Sequence, residues 1–333
     1  MGSIQAIQSY NSDASTLLSV NEHNQLRVIL LPEKIWRWIQ ALFIGKASAY
    51  SDCRAEKIAK AIQHIVHHEQ LRTDHTWAYV DCMRRLQGRV KKEPARTQLA
   101  AAVKQVALRA LEPKRALVAK AISHLKSNYE STATYSQALH FLKSCKRQIK
   151  EAKRTPLPLW FHATPNEGNL SSILWSQRIR QNHAIRGYGA YVSSSDEAGQ
   201  IIGYGRYTFA LDDDEISPNS AAYFVPNPEN NFVSWGINRL FGWQCPSIWV
   251  RVHSDLTIQE RSVAYISYPA HEEVTDQPSR TQLQQQYPWI RWINRDTSNK
   301  ICEVFRAVTK RSLPNHWQQL QHTPHSDLPD HFK

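Results

Sequence analysis

Apolar residues return at helical spacing through the first half of the chain. Between about Leu26 and Lys153 they recur every three or four residues, as on one buried face of an α-helix. The pattern predicts four to six helices packed as a bundle. Its clearest segments are Leu30–Ile44, Arg54–His68, Ala101–Leu111, Pro113–Asn128 and Tyr135–Glu151.

The helical pattern stops at Arg154-Thr-Pro-Leu-Pro158, because two prolines in three residues oppose continued helix. Beyond this point short apolar segments rich in β-branched and aromatic residues predict strands. The predicted strands are Leu159–Ala163, Ala190–Ser193, Arg206–Leu211, Ser247–His253 and Ser262–Tyr268. Helices are predicted at Asn169–Ser176, Asp196–Gly203 and Thr297–Lys310, the last capped by Asp296 or Thr297. The chain is therefore expected to be an α+β protein with a helical domain at 1–155 and a mixed domain at 156–333.

The net charge of +12 is concentrated in the predicted helical domain. Residues 1–155 contain 26 Lys and Arg against 12 Asp and Glu, whereas residues 156–333 contain 15 against 17. A basic half of this kind suits nucleic acid, an anionic membrane surface or an acidic protein, and charge alone does not choose among them. Solvated helix faces would also account for it.

Cysteine usage and the N-terminal segment bear on location. The five cysteines are widely spaced and form no CxxC pair, which indicates reduced thiols rather than disulfides or a zinc ribbon. The first residues lack the basic and apolar regions of a Sec signal. The apolar stretch Ile35–Gly45 is too short to span a bilayer, so no transmembrane segment is expected. We expect a cytoplasmic protein, or one delivered into a host cytosol by a non-Sec route.

Two short motifs carry the candidate chemistry. The first is Trp160-Phe-His-Ala-Thr164, at the end of a predicted strand. The second is Gly187-Tyr-Gly-Ala-Tyr-Val-Ser193, where a Gly-x-Gly turn leads into a tyrosine and a serine on the next strand. In their order and spacing the motifs resemble the His-Tyr-Glu branch of the ADP-ribosyltransferase fold, which includes poly(ADP-ribose) polymerases and diphtheria-type toxins. The resemblance covers about Leu159–Pro269 and implies a split sheet with a cleft that binds NAD⁺.

The resemblance implies a role for each matched residue. His162 would hydrogen-bond the adenosine ribose, and the backbone of Ala163, where the family usually has glycine, would hold the nicotinamide carboxamide. Tyr191 would stack on the nicotinamide. Gly187 and Gly189 would let the loop approach the ligand closely. The hydroxyl of Ser193 or Thr164 would add a hydrogen bond. No metal is implied.

The sequence departs from the family pattern at the expected carboxylate. The family places a glutamate at the opening of its fifth strand, where it stabilises the oxocarbenium-like transition state. In the best matching segment, Ser262–Tyr268, Ala264 stands at that position. Three alternatives remain: Glu260 is the acid, a glutamate of the Ala270-His-Glu-Glu-Val274 segment (Glu273 first, then Glu272) is the acid, or the site has none.

These observations lead to a ranked set of functions. The first is an NAD⁺-dependent ADP-ribosyltransferase that modifies a macromolecule, presumed to be a protein, as bacterial toxins and effectors of this fold do. The second is a catalytically degenerate module that binds NAD⁺, ADP-ribose or a protein partner. A basic nucleic-acid-binding protein is the third, and Arg178, Arg180 and Arg186 keep open a related RNA 2′-phosphotransferase.

Overall fold

A computed structural model of the 333-residue chain describes its helices and strands in several separate segments. The described residues are 3–12, 17–23, 25–29, 47–68, 73–90, 93–164, 167–180, 182–184, 187–193, 207–212, 223–225, 249–252, 255–269 and 278–309. They contain both helices and a large mixed sheet, so the predicted α+β class is confirmed at that level. The helices predicted at Leu30–Ile44 and Asp196–Gly203 lie outside the described residues.

The contacts within the chain divide it into two compact units. One unit comprises Met1–Pro113 and Ile149–Arg154, and the other comprises Lys114–Gln148 and Thr155–Lys333. The last two helices of the basic half therefore group with the sheet. The short segment before the prolines groups with the first unit, where the Arg154 guanidinium lies 5.2 Å from the centre of the Trp77 ring.

The described part of the first unit is helical apart from one small hairpin. Its elements are α1 (Ser3–Ser12), β1 (Leu18–Val20), β2 (Leu26–Val28), α2 (Ala47–His68), α3 (Thr73–Arg89) and α4 (Glu93–Ala110). The second strand of this hairpin, β2, lies at the start of the region that was predicted to be helical from about Leu26. Its turn is closed by the Asn21 side chain, whose Oδ1 accepts hydrogen bonds from the backbone N–H groups of His23 and Gln25. An Asx side chain that bonds its own backbone in this way favours a turn over a helix.

The second unit begins with two helices and continues into the strands. Its helices are α5 (Glu112–Asn128), α6 (Ala133–Lys150), α7 (Glu167–Ser176), α8 (Pro278–Gln286) and α9 (Arg295–Thr309). Its first strands are β3 (Trp160–Thr164), β4 (Arg178–Ile179), β5 (Asn182–Ala184), β6 (Gly187–Ser193) and β7 (Tyr207–Leu211). The remaining strands are β8 (Tyr223–Val225), β9 (Trp249–Val252), β10 (Leu256–Thr257), β11 (Val263–Tyr268) and β12 (Trp292–Asn294).

Among the described strands, the large sheet has the order β12-β11-β7-β3-β6-β9-β8, with β5 added to β6. Only the β11–β12 pair is parallel; the other pairs described are antiparallel. Strands β4 and β10 form a separate two-stranded pair. The order places β3, which carries the first motif, directly beside β6, which carries the second.

Both faces of the large sheet are covered in the part of it formed by β3, β7 and β11. On one face Trp160 and Phe209 belong to a buried apolar cluster with Leu170 and Leu174 of α7 and Leu283 of α8. On the other face the Tyr265 ring meets the Phe141 ring of α6 edge to face at 5.4 Å. The alternation of side chains along each strand produces this division.

A buried ion pair joins α5 to the end of β7. Lys114, in the first turn of α5, contacts the carboxylate of Asp212 and also donates to the Thr155 carbonyl at 3.4 Å. Asp212 is fully buried, and Lys114 is 8 % exposed. The sequence shows Asp212 only as the first residue of an acidic run, a pattern typical of an exposed loop. Its burial reflects the lysine that α5 supplies.

The final helix starts earlier than its sequence pattern predicts. It begins at Arg295, directly after β12, so neither Asp296 nor Thr297 is its cap. Instead Asn294 Oδ1 accepts a hydrogen bond from the Asp296 backbone N–H at 2.8 Å. Asparagine is among the preferred N-cap residues because its short side chain reaches the free N–H groups of the first turn. No helix in the described part of the chain combines the length and apolarity needed to cross a membrane.

Candidate active site

The two sequence motifs lie on neighbouring strands of the large sheet. His162, Ala163 and Thr164 end β3, and residues 187–193 form β6. The strands run antiparallel, and Phe161 pairs with Ser193. The end of β3 and the beginning of β6 therefore lie at the same end of the sheet.

His162 is held by β7 on one side of its strand. It pairs with Phe209, and the next two positions, Ala163 and Thr164, pair with Thr208 and Tyr207. His162 and Ala163 are half-buried. Thr164 is buried and ends the strand. The residue that carries this imidazole is held by backbone pairing with β7, and it keeps part of its surface exposed.

The start of α7 is tied to the same strand end. Tyr207, the partner of Thr164, donates a hydrogen bond from its hydroxyl to Glu167 Oε1 at 3.1 Å. Glu167 opens α7, where a carboxylate also complements the positive end of the helix dipole. This contact fixes where the chain goes after the first motif.

The ladder between the two motif strands is short. Strand β3 pairs with β7 over all five of its residues, and β6 pairs with β9 from Ala190 to Ser193. Between β3 and β6 themselves, the described pairing is the single pair Phe161 and Ser193. Each motif strand is therefore bonded along its outer side, while the shared edge is bonded at one position. This pattern is what a sheet that opens between β3 and β6 would have.

Strand alternation sets a condition on any site shared by both motifs. In a regular antiparallel ladder continued from Phe161 and Ser193, His162 would stand beside Val192 and Ala163 beside Tyr191. Positions 162 and 191 would then belong to opposite faces of the sheet. The two can meet a common ligand only if β3 and β6 separate beyond the first pair.

The second motif is stiffened by a hairpin and by β9. Strand β5 pairs with the beginning of β6, where Asn182 stands opposite Gly189 and Ala184 opposite Gly187. Further along β6, Tyr191 pairs with Arg251 of β9. Arg251 is not among the site residues predicted from the sequence. A basic residue within the apolar strand segment Trp249-Val-Arg-Val252 is nevertheless a pattern by which a functional position could be found.

The structure does not bring Glu260 to the two motifs. Glu260 is exposed in the turn before β11, at the end of the sheet where β3 begins. Strand β11 is separated from β3 by β7 and lies on the side away from β6. Two strand spacings amount to about 10 Å, and His162 lies two residues further along β3 from this end. Glu272 and Glu273 lie outside the described residues.

The strand order also changes where the expected glutamate should be sought. Along the path of the large sheet, β9 is the fifth described strand in chain order and β11 the sixth. Ala264 belongs to β11 and is buried, so the segment matched from the sequence is not the fifth strand of this path. The residues before β9 read Cys245-Pro-Ser-Ile248 and include no carboxylate.

The arginines considered for phosphate chemistry are placed as follows. Arg178 opens β4, is largely exposed and lies 4.0 Å from the Asp255 carboxylate. Arg180 is exposed just after β4, and Arg186 lies outside the described residues. Strand β4 pairs with β10, apart from the large sheet that contains the two motifs.

Cys82 and Cys145 are poor nucleophiles. Burial raises the pKa of Cys82 and that of Cys145 to about 12, so both are thiols rather than thiolates at neutral pH. Cys302 is also buried. In the described part of the chain, no group of three or more His, Cys, Asp or Glu residues is arranged to hold a metal ion. The Nδ1 of His67, on the histidine-rich helix α2, lies 2.9 Å from the Arg109 guanidinium.

No protein-family model, curated protein or solved structure matches this chain.

Proposed function

We propose that the chain is an NAD⁺-dependent ADP-ribosyltransferase whose nicotinamide pocket lies between β3 and β6. The observation that supports this most is the adjacency of the two motif strands together with their single shared pair. A sheet opened at this point provides a cleft bordered by both motifs. The cleft is also where the resemblance to the His-Tyr-Glu transferases expects NAD⁺.

In this proposal the chain positions NAD⁺ through side chains at the strand ends. His162 binds the adenosine ribose, and the backbone of Ala163 binds the carboxamide. Tyr191 supplies an aromatic face to the positively charged nicotinamide. Thr164 and Ser193 supply hydroxyl groups, and Gly187 and Gly189 leave room for the ligand beside the backbone.

The proposed reaction breaks the bond between the nicotinamide nitrogen and C1′ of its ribose. Nicotinamide leaves as a neutral base with the electron pair of that bond, and positive charge develops on the ribose. A nucleophilic group of a macromolecular acceptor then bonds to C1′ and loses its proton. A protein acceptor, as for a bacterial toxin or effector acting in a host cytosol, is the form of the proposal that we favour.

A second candidate function follows from the absence of a carboxylate at the places where the described residues would supply it. Residues 245–248, before the fifth strand, contain no acid, and Glu260 lies two strands away from β3. A transferase-fold module that binds NAD⁺ or ADP-ribose without turnover would need no acid at either place. Binding and transfer must therefore be measured separately.

Binding is tested by titrating the full chain with NAD⁺ in a calorimeter. We expect saturable binding that His162→Gln and Tyr191→Ala each weaken at least tenfold. His23→Gln is the matched control, because His23 is an exposed turn residue of the first unit. The thermal unfolding temperature of each variant shows whether weaker binding reflects a change in the pocket or loss of the folded structure. Absence of NAD⁺ binding by a folded wild-type chain would refute the transferase and the NAD⁺-binding form of the second candidate.

Transfer is tested with labelled NAD⁺ and cell lysate. A labelled protein band that His162→Gln and Tyr191→Ala abolish supports the transferase. Removing a transition-state carboxylate costs about 3 kcal/mol, or about a hundredfold in rate. That loss in Glu273→Gln, with Glu260→Gln unchanged, would assign the acid. NAD⁺ binding with no labelled product would leave the second candidate as the function.

A further inference from the structure

We infer that the exposed face of α6 is a binding surface for the phosphate backbone of nucleic acid. The inference is independent of the NAD⁺ pocket. It concerns three cations, Lys143, Lys146 and Arg147, which we call the α6 stripe. All three are exposed. Their spacing of three and four residues places them on one side of the helix.

Helix α6 carries no negative charge of its own. Its eighteen residues contain no Asp or Glu. Within the described part of the chain, no hydrogen bond or ion pair is made by the side chains of the three stripe residues. Arg84 on α3 and Arg96 on α4, by contrast, each lie within ion-pair distance of an acid one turn away. The α6 stripe is a local excess of positive charge.

The opposite side of α6 is fixed in the core of the second unit. Ala138, Phe141, Leu142 and Cys145 are buried there. The Arg291 guanidinium lies over the Phe141 ring and donates to Ser144 Oγ at 3.2 Å. The stripe is therefore presented by a helix whose position is set by packing, so little backbone entropy opposes binding.

The composition of the exposed face favours a phosphate polymer over a membrane. A helix that lies in a lipid interface inserts an apolar face between the headgroups. The apolar face of α6 is already used in the core, and the other exposed positions near the stripe are Ser136, His140 and Lys150, with the half-buried Leu139 beside them. Lipid contact would be limited to headgroup attraction.

Protein partners also fit the exposed face less well. Protein interfaces derive most of their affinity from buried aromatic and arginine anchors within an apolar setting. The exposed face of α6 has one arginine, Arg147, but it stands among cations and polar groups rather than in an apolar setting. Duplex nucleic acid carries one charge per about 1.7 Å of axis, so the roughly 10 Å from His140 to Arg147 would face several phosphates. Contacts of this kind read no base sequence.

The test uses the full chain and a fluorescein-labelled DNA duplex of mixed sequence. Fluorescence anisotropy measures Kd at several salt concentrations. The stripe variant is Lys143→Gln/Lys146→Gln/Arg147→Gln. The control variant removes the same charge elsewhere, by Lys57→Gln/Lys60→Gln/Lys104→Gln, at exposed positions of α2 and α4.

We expect the stripe variant to bind at least tenfold more weakly than the wild type at low salt. The slope of log K against log salt is negative, and each lost phosphate contact reduces its magnitude by about 0.9. The magnitude should therefore fall by about 2–3 in the stripe variant. The control variant should stay within about threefold, because it changes the net charge but leaves the stripe intact.

Four results would overturn the inference. The first is no duplex binding by the wild-type chain at low salt, and the second is an equal loss in the stripe and control variants. The third is equally effective competition by poly-L-glutamate at matched charge, which would indicate an acidic protein. The fourth is binding to phosphatidylserine vesicles but not to the duplex. His162→Gln should leave duplex binding unchanged, so failure here is separate from failure of the NAD⁺ pocket.

Discussion

Asp212 illustrates how strongly one residue depends on a helix that is distant in sequence. Its carboxylate is fully buried at the end of β7, and the neighbouring cation is Lys114, 98 residues earlier. A buried ion pair contributes little compared with an apolar pair of the same shape, but it is costly to break. The pair therefore specifies where α5 docks more than it adds stability.

Removing one partner of this pair should destabilise the second unit. Lys114→Met leaves the Asp212 carboxylate buried without its cation and should lower the free energy of unfolding by about 3–5 kcal/mol. The double variant Lys114→Met/Asp212→Leu should recover most of that loss, because neither charge remains. Urea unfolding followed by tryptophan fluorescence provides the measurement.

The control for this prediction is an exposed ion pair. Arg96 lies 3.7 Å from Glu93, and both side chains are more than half exposed. Arg96→Met should change the unfolding free energy by less than about 1 kcal/mol. A loss in Lys114→Met no larger than in Arg96→Met would contradict the interpretation of Asp212.

At the scale of elements, a residue with positive φ ends α7. Gln177 has φ of 52°, and its N–H bonds the Leu174 carbonyl. Its own carbonyl accepts from the Ile258 N–H at 2.8 Å, so this conformation is needed to connect α7 with β4 and β10. Glycine is usual at this position after a helix because it has no Cβ to conflict with the backbone.

Gln177→Gly should therefore stabilise the protein. Relief of the left-handed conformation is worth roughly 1 kcal/mol. Ser171→Gly, at an exposed position within the same helix, should have the opposite sign and cost about 1 kcal/mol, because glycine there adds only unfolded-state entropy. Thermal and urea unfolding of both variants give the comparison. Destabilisation by Gln177→Gly would mean that its side chain contributes more than the strain costs.

Most elements of the second unit could be predicted because their local patterns agree with their surroundings. All five predicted strands are present, at β3, β6, β7, β9 and β11. The predicted helix Asn169–Ser176 lies within α7 (Glu167–Ser176). Strands of two or three residues, such as β4 and β10, were not predicted, because a segment that short shows no alternation of apolar and polar residues. Strand order was also beyond the sequence: along the path of the large sheet, β9 is the fifth described strand in chain order and the segment 262–268 belongs to the sixth.

The candidate site was predictable in part for the same reason. His162 and Tyr191 stand in short motifs whose residues are contiguous, and the sheet order places those two motif strands together. The acid, by contrast, would come from a different strand, and its position depends on register and topology rather than on a local pattern. Glu260 shows the difference. In the sequence it precedes the last predicted strand, but in the sheet that strand, β11, is separated from β3 by β7.

At the scale of the whole molecule, the division into units changes where the positive charge resides. Helix α6 ends at Lys150, before the prolines at 156 and 158, and one of the compact units extends over both sides of those prolines. The first unit has 19 Lys and Arg against 11 acids, and the second has 22 against 18. The sheet-containing unit is therefore basic rather than slightly acidic, because α5 and α6 belong to it.

The same division predicts which fragment of the chain folds. A fragment of residues 156–333 lacks Lys114, the partner of Asp212, and Phe141, which packs on Tyr265. Loss of a buried ion-pair partner and loss of a buried phenylalanine each cost about 3–5 kcal/mol. A domain has only about 5–15 kcal/mol of stability in total.

We therefore expect the fragment 156–333 to lack a cooperative unfolding transition, and the fragment 112–333 to retain one. Circular dichroism and tryptophan fluorescence during urea unfolding would show this, with the full chain as the reference. Cooperative unfolding of 156–333 at the same urea midpoint as 112–333 would mean that α5 and α6 are dispensable to the sheet. The exposed α6 stripe would then belong to a helix that the sheet does not need for folding. If the longer fragment alone folds, the helix that carries the stripe and the strands that carry His162 and Tyr191 are parts of one cooperative unit.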